Sequence, residues 1–229
     1  AFIADRRIVL ATGHSSLPCL AEGISGRALV GSWMAGREVY RIYAILKAVL
    51  KVPSVVAVPL ILGKETLIDQ SLAPAIARVA ADPARRLSAI AQLPPLARQL
   101  LAQVEAEREI RMDRLSVPTT QSRRARGLLE RELLVVSRDL HTERGYHTSV
   151  VMAWGESSIA RRFMRRARRL EYEEAQDLLV RAAMQSAVCV PEREARRWFV
   201  FGPTRFDALV KGKQLHRFTS GRTIWFATV

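Results

Sequence analysis

Two stretches of this chain hold residue types that can do chemistry. The first is Leu140-His141-Thr142-Glu143-Arg144-Gly145-Tyr146-His147-Thr148, in which two histidines flank a turn-like Thr-Glu-Arg-Gly. If 142–145 form a turn, the imidazoles stand near each other across a hairpin, and two histidines can begin a zinc site. Zinc takes three protein ligands for catalysis and four for structure. The nearby candidate is Glu143, and spacing gives no reason to join His14 or His216. The second stretch is Gly13-His14-Ser15-Ser16, a serine beside a histidine. A nucleophile, a base and an orienting group must converge in a cleft, and adjacent residues rarely align that way. The stretch is not G-x-S-x-G, there is no phosphate-binding G-x-x-x-x-G-K-[ST], and Asp5, Glu22 and Glu38 are scattered. The sequence therefore predicts no catalytic residue, no metal and no cofactor. It predicts a hairpin tip at 142–145 and a polar loop at 13–16.

What the sequence does carry is charge. Lysine and arginine number 36 against 22 acids, a net +14, with a pI near 11.0. Such an excess favours a polyanion: nucleic acid, an anionic membrane or an acidic protein. Nearly all the cations are arginine, since only Lys47, Lys51, Lys64, Lys211 and Lys213 are lysines. Codon bias in a GC-rich genome explains arginine in place of lysine but not the shortage of acids. Apolar residues make up 49% of the 229, enough for a real core. Cys19 and Cys189 stand alone, with no CxxC, so a reducing cytoplasm is the expected setting. The longest apolar run, Val52 to Leu62, holds two prolines and is too short to span a bilayer.

Several elements must position these groups. Residues 1–83 read as a mixed α/β element, with a degenerate winged helix as one form of it; the first 35 residues give no clear pattern. Val39, Ile42, Tyr43, Leu46, Val49 and Leu50 have helical spacing, and Pro53 stops that helix. The run VVAVPLILGKETLID reads as a hairpin turning at Gly63-Lys64, and Pro59 places its first strand at a sheet edge. Ser71 is expected to cap a helix ending at Asp82-Pro83.

Residues 84–155 give an ordered series. Leu96 to Glu109 is helical. Arg111 to Leu115 is a short segment, and Ser116-Val117-Pro118 breaks the chain. Thr119 or Thr120 caps a second long helix, whose Ala125, Leu128, Leu129 and Leu133 share one face. Its other sides carry Gln121, Arg123, Arg124, Arg126 and Arg131. Strands over 134–140 and 146–154 then enclose the histidine turn. Helix, short helix, turn, helix and hairpin is the order of a winged helix-turn-helix, in which the last helix enters the major groove and the wing touches the backbone beside it. There, arginine can bind guanine and Gln121 can read adenine. Arg144 at the wing tip, with His147, is placed for a phosphate.

Residues 156–229 form a basic linker helix and a second such series. In Glu156 to Leu170, Ser157 or Ser158 caps a helix with Ile159, Phe163, Ala167 and Leu170 on one stripe, while Arg161, Arg162, Arg165 and Arg166 would hold phosphates. A membrane-surface helix and a bridge between domains are the competing uses of such a face. Helices are expected over 173–188, from Pro191, and from Pro203, followed by strands around a Thr219-Ser220-Gly221-Arg222 turn. Trp198, Phe199, Trp225 and Phe226 read as core.

The run VPEREARRWFVFG…FDALVKGKQLHRFTSGRTIWF resembles the third unit of the winged-helix DNA glycosylases, which remove alkylated or crosslinked bases, and the chain is similar to bacterial tandem winged-helix proteins generally. Those enzymes carry a Gln-x-Gln pair; here no two glutamines stand two residues apart, so no catalytic residue carries over. The resemblance implies fold and DNA contact. The expectation is an α+β, mainly helical protein of tandem winged helix-turn-helix units with small hairpin wings. It would bind double-stranded DNA in a regulatory or architectural role, with no membrane partner. A DNA-repair glycosylase-like enzyme and a protein-interaction scaffold are the alternatives.

Overall fold

The computed structural model describes residues 2–13, 15–29, 38–116, 118–141, 147–202 and 204–228, with the backbone alone at His141 and His147. It is an α+β protein with three small antiparallel sheets of three strands each. In chain order come α1 (Phe2–Arg6), β1 (Ile8–Leu10), α2 (Leu20–Ser25), α3 (Val39–Val49), β2 (Val55–Ile61) and β3 (Lys64–Asp69). Then follow α4 (Ala73–Ala81), α5 (Pro83–Ala91), α6 (Pro95–Glu107), β4 (Glu109–Arg111), α7 (Thr119–Arg131), β5 (Val135–His141) and β6 (His147–Ala153). The last group is α8 (Ser158–Ala167), α9 (Tyr172–Ala187), β7 (Cys189–Pro191), α10 (Glu192–Ala195), α11 (Thr204–Lys211), β8 (Leu215–Ser220) and β9 (Thr223–Thr228).

All three sheets share one connectivity. A short strand, separated from a hairpin by helices, pairs with the hairpin's second strand, giving the orders β1-β3-β2, β4-β6-β5 and β7-β9-β8. The same backbone device precedes each short strand. Arg7, Arg108 and Val188 hold left-handed φ values of 63°, 67° and 68°, ending a helix and turning the chain directly into the sheet. None is glycine, so each conformation costs about 1 kcal/mol or more, which the sheet pairing must offset. The second and third units also run in register eighty positions apart. Leu133 and Lys213 are both left-handed, and Leu134 N–H donates to Leu129 O as Gln214 N–H does to Leu209 O. The buried positions coincide too, at Leu100 and Val180, Val104 and Met184, Ile110 and Val190, Leu129 and Leu209, Val135 and Leu215.

The cores divide unevenly. The second unit has its own, built from Leu101, Val104, Ile110, Leu129, Val135, Val151 and their neighbours. The first and third units share one, in which Ile8 and Leu10 of β1, α4, α8, α9 and the aromatic residues Trp198, Phe206 and Phe226 form a single cluster. Ser186 Oγ, deep in that cluster, donates to Ile8 O at 2.6 Å. The expected basic linker helix is therefore an integral element: α8 packs on α4 and buries Ile159, Ala160, Phe163 and Ala167. Ser157 caps it as expected, its Oγ accepting from Ala160 N–H at 3.0 Å.

β2 is an edge strand, which is where Pro59, lacking an N–H, can sit. Its hairpin turns at Leu62-Gly63, with φ 56° and 70°, one residue earlier than expected; two consecutive left-handed residues make the tight turn that fits strand twist. The tip is not free. A Cβ on Gly63 would lie 3.2 Å from Arg131 Cβ of α7, and Leu62 N–H donates to Trp198 O at 3.0 Å.

Other expectations are corrected. Asp82-Pro83 ends α4 but also starts α5: Asp82 Oδ1 accepts from Arg85 N–H at 3.0 Å, and Pro83 takes the first helical position, where its missing N–H costs nothing. Neither Thr119 nor Thr120 caps α7, because Pro118 occupies that place without a side-chain bond. Ser71 does not cap α4; it donates its N–H to Asp69 Oδ1 in the preceding 3-10 turn. β8 extends through Ser220, leaving Gly221-Arg222 as the turn.

Candidate nucleic-acid interface

α7 lies between the second unit's core and solvent. Ser122, Ala125 and Leu129 are its buried residues, and Thr119, Thr120, Gln121, Arg123, Arg124 and Arg131 are exposed. The arginines are not equivalent. Arg123 and Arg124 make no hydrogen bond or ion pair with the described residues. Arg126 is half-buried; its Nη1 donates to Ser149 Oγ at 2.6 Å and its Nε lies 3.7 Å from Glu130 Oε2. It braces α7 against β6. Arg131 lies against the first hairpin turn in an acidic neighbourhood. There, burial first, then the nearby Asp139 and Glu130 carboxylates, raise the Glu65 carboxyl above its usual range. Arg123 and Arg124 thus stand in the first two turns of α7, the end where helix amides also favour anions, and Arg131, exposed and without a polar partner among the described residues, stands in its last.

On α8 the expected four arginines split in half. Arg161 Nε and Nη2 donate to Glu156 O at 3.0 and 2.6 Å. Arg162 reaches Gln70 Oε1 at 3.0 Å, with its guanidinium 5.1 Å from the Phe163 ring centre. Arg165 and Arg166 are exposed and without a partner among the described residues, as are Arg168 and Arg169. Edge strands β2 and β5 and the start of α8 enclose a cleft of about 480 Å³, lined by Arg138, Arg161 and Arg162 beside Val56, Pro59 and Ser137. Arg138 pairs with Glu109 at 3.6 Å.

The third unit pairs three of its arginines with acids. Arg205 binds Asp177 with two nitrogens and Glu173 with a third. Arg196 binds Asp207 and Glu192, whose bonds raise its pKa. Arg217 binds Glu192. Among the described residues α11 therefore keeps its one arginine paired, while α7 and α8 carry exposed arginines without a partner.

Arg144 and the turn 142–146 lie outside the described residues, as do the side chains of His141 and His147; the backbone pairs His141 with His147 across β5 and β6. Among the described residues no three His, Cys, Asp or Glu side chains form a metal-binding group, and no helix is long and apolar enough to cross a membrane. The Gly-His-Ser-Ser loop has a structural role at its serines. Ser15 Oγ, Ser16 N–H and Ser16 Oγ donate to the Glu194 carboxylate at 2.6, 2.8 and 2.8 Å, and Trp198 Nε1 joins at 3.3 Å. Partial burial pushes the Glu194 carboxyl up, but these bonds outweigh it and hold the group below the usual glutamate range.

One surface escapes the sequence pattern. Tyr43 and Leu50, counted by spacing into the apolar stripe of α3, face solvent with Tyr40, while Ile42 and Leu46 are buried. The signal for this was the cationic content of the same stripe, Lys47 and Lys51 recurring at helical spacing from Tyr40 and Tyr43.

Compared with known protein families, curated proteins and solved structures, the chain matches none.

Proposed function

We propose that this chain binds double-stranded DNA, in a regulatory or architectural role, through tandem winged helix-turn-helix units, with the second unit making the principal contact. Short strand, turn of helix, longer helix and hairpin recur three times with one sheet order, an order that supports a winged-helix reading. The carrying observation is on α7: a thirteen-residue helix whose first turns present Gln121, Arg123 and Arg124 to solvent, with no acid among the described residues bound to either arginine. In a protein that pairs Arg196, Arg205 and Arg217 internally, arginines left unpaired on one helix are free to release counterions from phosphates. Gln121 and Arg124 have the chemistry to read base edges, and Arg165 and Arg166 of α8 to hold backbone.

Gel shifts with a mixed-sequence duplex at several salt concentrations test this. Binding is expected, with log affinity falling linearly in log salt. No shift even at low salt refutes DNA binding.

A further inference from the structure

α3 occupies in the first unit the place that α7 occupies in the second, after a short strand and helix and before the hairpin, yet its outward face is of another kind. Tyr40 is 84% exposed and Tyr43 37%. With Ala44, Lys47 and Lys51 they fall at intervals of three and four, one stripe of a helix. All of these are exposed, as is Arg41 beside them. Lys47 Nζ sits 4.6 Å from the Tyr43 ring centre, holding cation and ring together. Tyr40 has no ring or hydrogen-bond partner among the described residues. Alanines 44 and 48 leave the floor between the side chains low, and α3 has no acid in its first turn.

We infer that this face binds an unpaired nucleic-acid strand, stacking bases on Tyr40 and Tyr43 and holding phosphates with Arg41, Lys47 and Lys51. The inference rests on the DNA-binding function proposed above and adds a second substrate form to it. Rings project from a cationic surface, the combination that binds single strands with little sequence preference, because every base has a π-face. A paired base hides that face in the stack, so an intact duplex offers these tyrosines little. A second copy of this chain is a poor occupant, since two such faces would oppose three cations each without an acid between them. A lipid surface wants several Leu, Phe or Trp along the outward stripe, and here, among the described residues, Leu50 is the one such residue exposed beside the tyrosines, while Ile42 and Leu46 point inward. A duplex contacted by α7 with an adjoining unpaired strand on α3 is the preferred ligand.

Fluorescence anisotropy with a blunt duplex, and with the same duplex extended by an oligo-thymidine tail, tests this on the full chain. The tailed form is expected to bind more tightly, by about fivefold or more for each stacked base. Tyr40→Ala with Tyr43→Ala is expected to abolish that preference, and the paired Tyr→Phe variants to retain it, because stacking needs the ring and not the hydroxyl. Arg123→Ala with Arg124→Ala should weaken both forms and leave their ratio unchanged. Equal binding of tailed and blunt DNA by the wild type overturns the inference, as does an alanine variant that keeps the preference. Binding to phosphatidylserine vesicles that the alanine variant loses assigns the face to lipid instead. A wild type that binds neither DNA refutes the DNA-binding function itself, a distinct result.

Discussion

Arg123 and Arg124 make no polar contact with the described residues, whereas Arg126, two residues along the same helix, is tied down, and this contrast makes a sharp experiment. Each phosphate contact contributes about 0.9 to the slope of log affinity against log salt. Replacing Arg123 and Arg124 together by alanine should therefore shallow the slope by about one if Arg124 reads a base edge, and by about two if both meet phosphates. With no bond or ion pair lost, stability should stay within about 0.5 kcal/mol of wild type. Arg126→Ala removes the 2.6 Å bond to Ser149 and the longer pairing with Glu130. Its cost should be about 1–2 kcal/mol, or roughly 2–8 °C in Tm at about 2–4 °C per kcal/mol, with the salt slope unchanged. Anisotropy titrations at several potassium chloride concentrations, and thermal melts of the same preparations, measure both quantities. A double variant with the wild-type slope, or an Arg126→Ala protein that keeps its stability but loses slope, would refute the division into contacting and bracing arginines.

Gly127, inside α7 with an ordinary φ and open space where a methyl would stand, costs the helix about 1 kcal/mol relative to alanine with no packing reason inside the protein. Gly127→Ala should raise Tm and, if a DNA backbone comes close on the Arg123 side, weaken duplex binding; unchanged affinity would show that nothing approaches there. Glu194→Gln should destabilise the fold by about 1–2 kcal/mol near neutral pH through weakened bonds to Ser15, Ser16 and Trp198. The carboxyl is held below its ordinary value of 4.5, so its contribution is complete above that pH and fades as acid carries the solution down through the lowered folded value. The wild-type advantage in urea midpoint should shrink as pH falls from about 6 to about 3, and an advantage that stays constant would count against the ionic role.

Much of the second and third units is legible in sequence because period and punctuation agree there. Ala125 and Leu129 repeat on one buried face, although Leu133, counted with them by spacing, lies past the helix end in the other core, and Ser157 stands at the start of a buried stripe. Pro59 in a β-branched run predicts an edge. Two kinds of error remain, and each has a physical source. Pro83 stops one helix and opens the next, because a residue without an N–H suits both a boundary and a first turn; sequence shows the stop and hides the start. Tyr43 and Leu50 count as apolar in any periodicity, yet which side of α3 is covered depends on α2 and on Ile3, Val9 and Leu67 around Leu46, contacts that no local pattern shows. The fate of each arginine is equally non-local. Arg126 and Arg123 look alike in a string, and only the position of Ser149, brought over by the hairpin, separates brace from free cation. The first unit enters the sequence reading only as a mixed element with a degenerate winged helix as one form, because it shares neither spacing nor residue types with the other two, only the order of its strands and the left-handed Arg7.

The common cluster joining β1 to α9 and Trp198 has a consequence for biosynthesis. The second unit, with a self-sufficient interior of near-neighbour contacts, can fold as soon as it leaves the ribosome. The amino-terminal sheet has a small cluster of its own on one face, but the face that carries Ile8 and Leu10 is not fully covered until α9 is made, since Ser186 must meet Ile8, 178 positions away in the chain. Contacts so far apart in sequence form late. A chain stopped early, before α9, would thus strand its own beginning: a frameshift at residue 170 should leave the middle unit intact and the first one open to proteases.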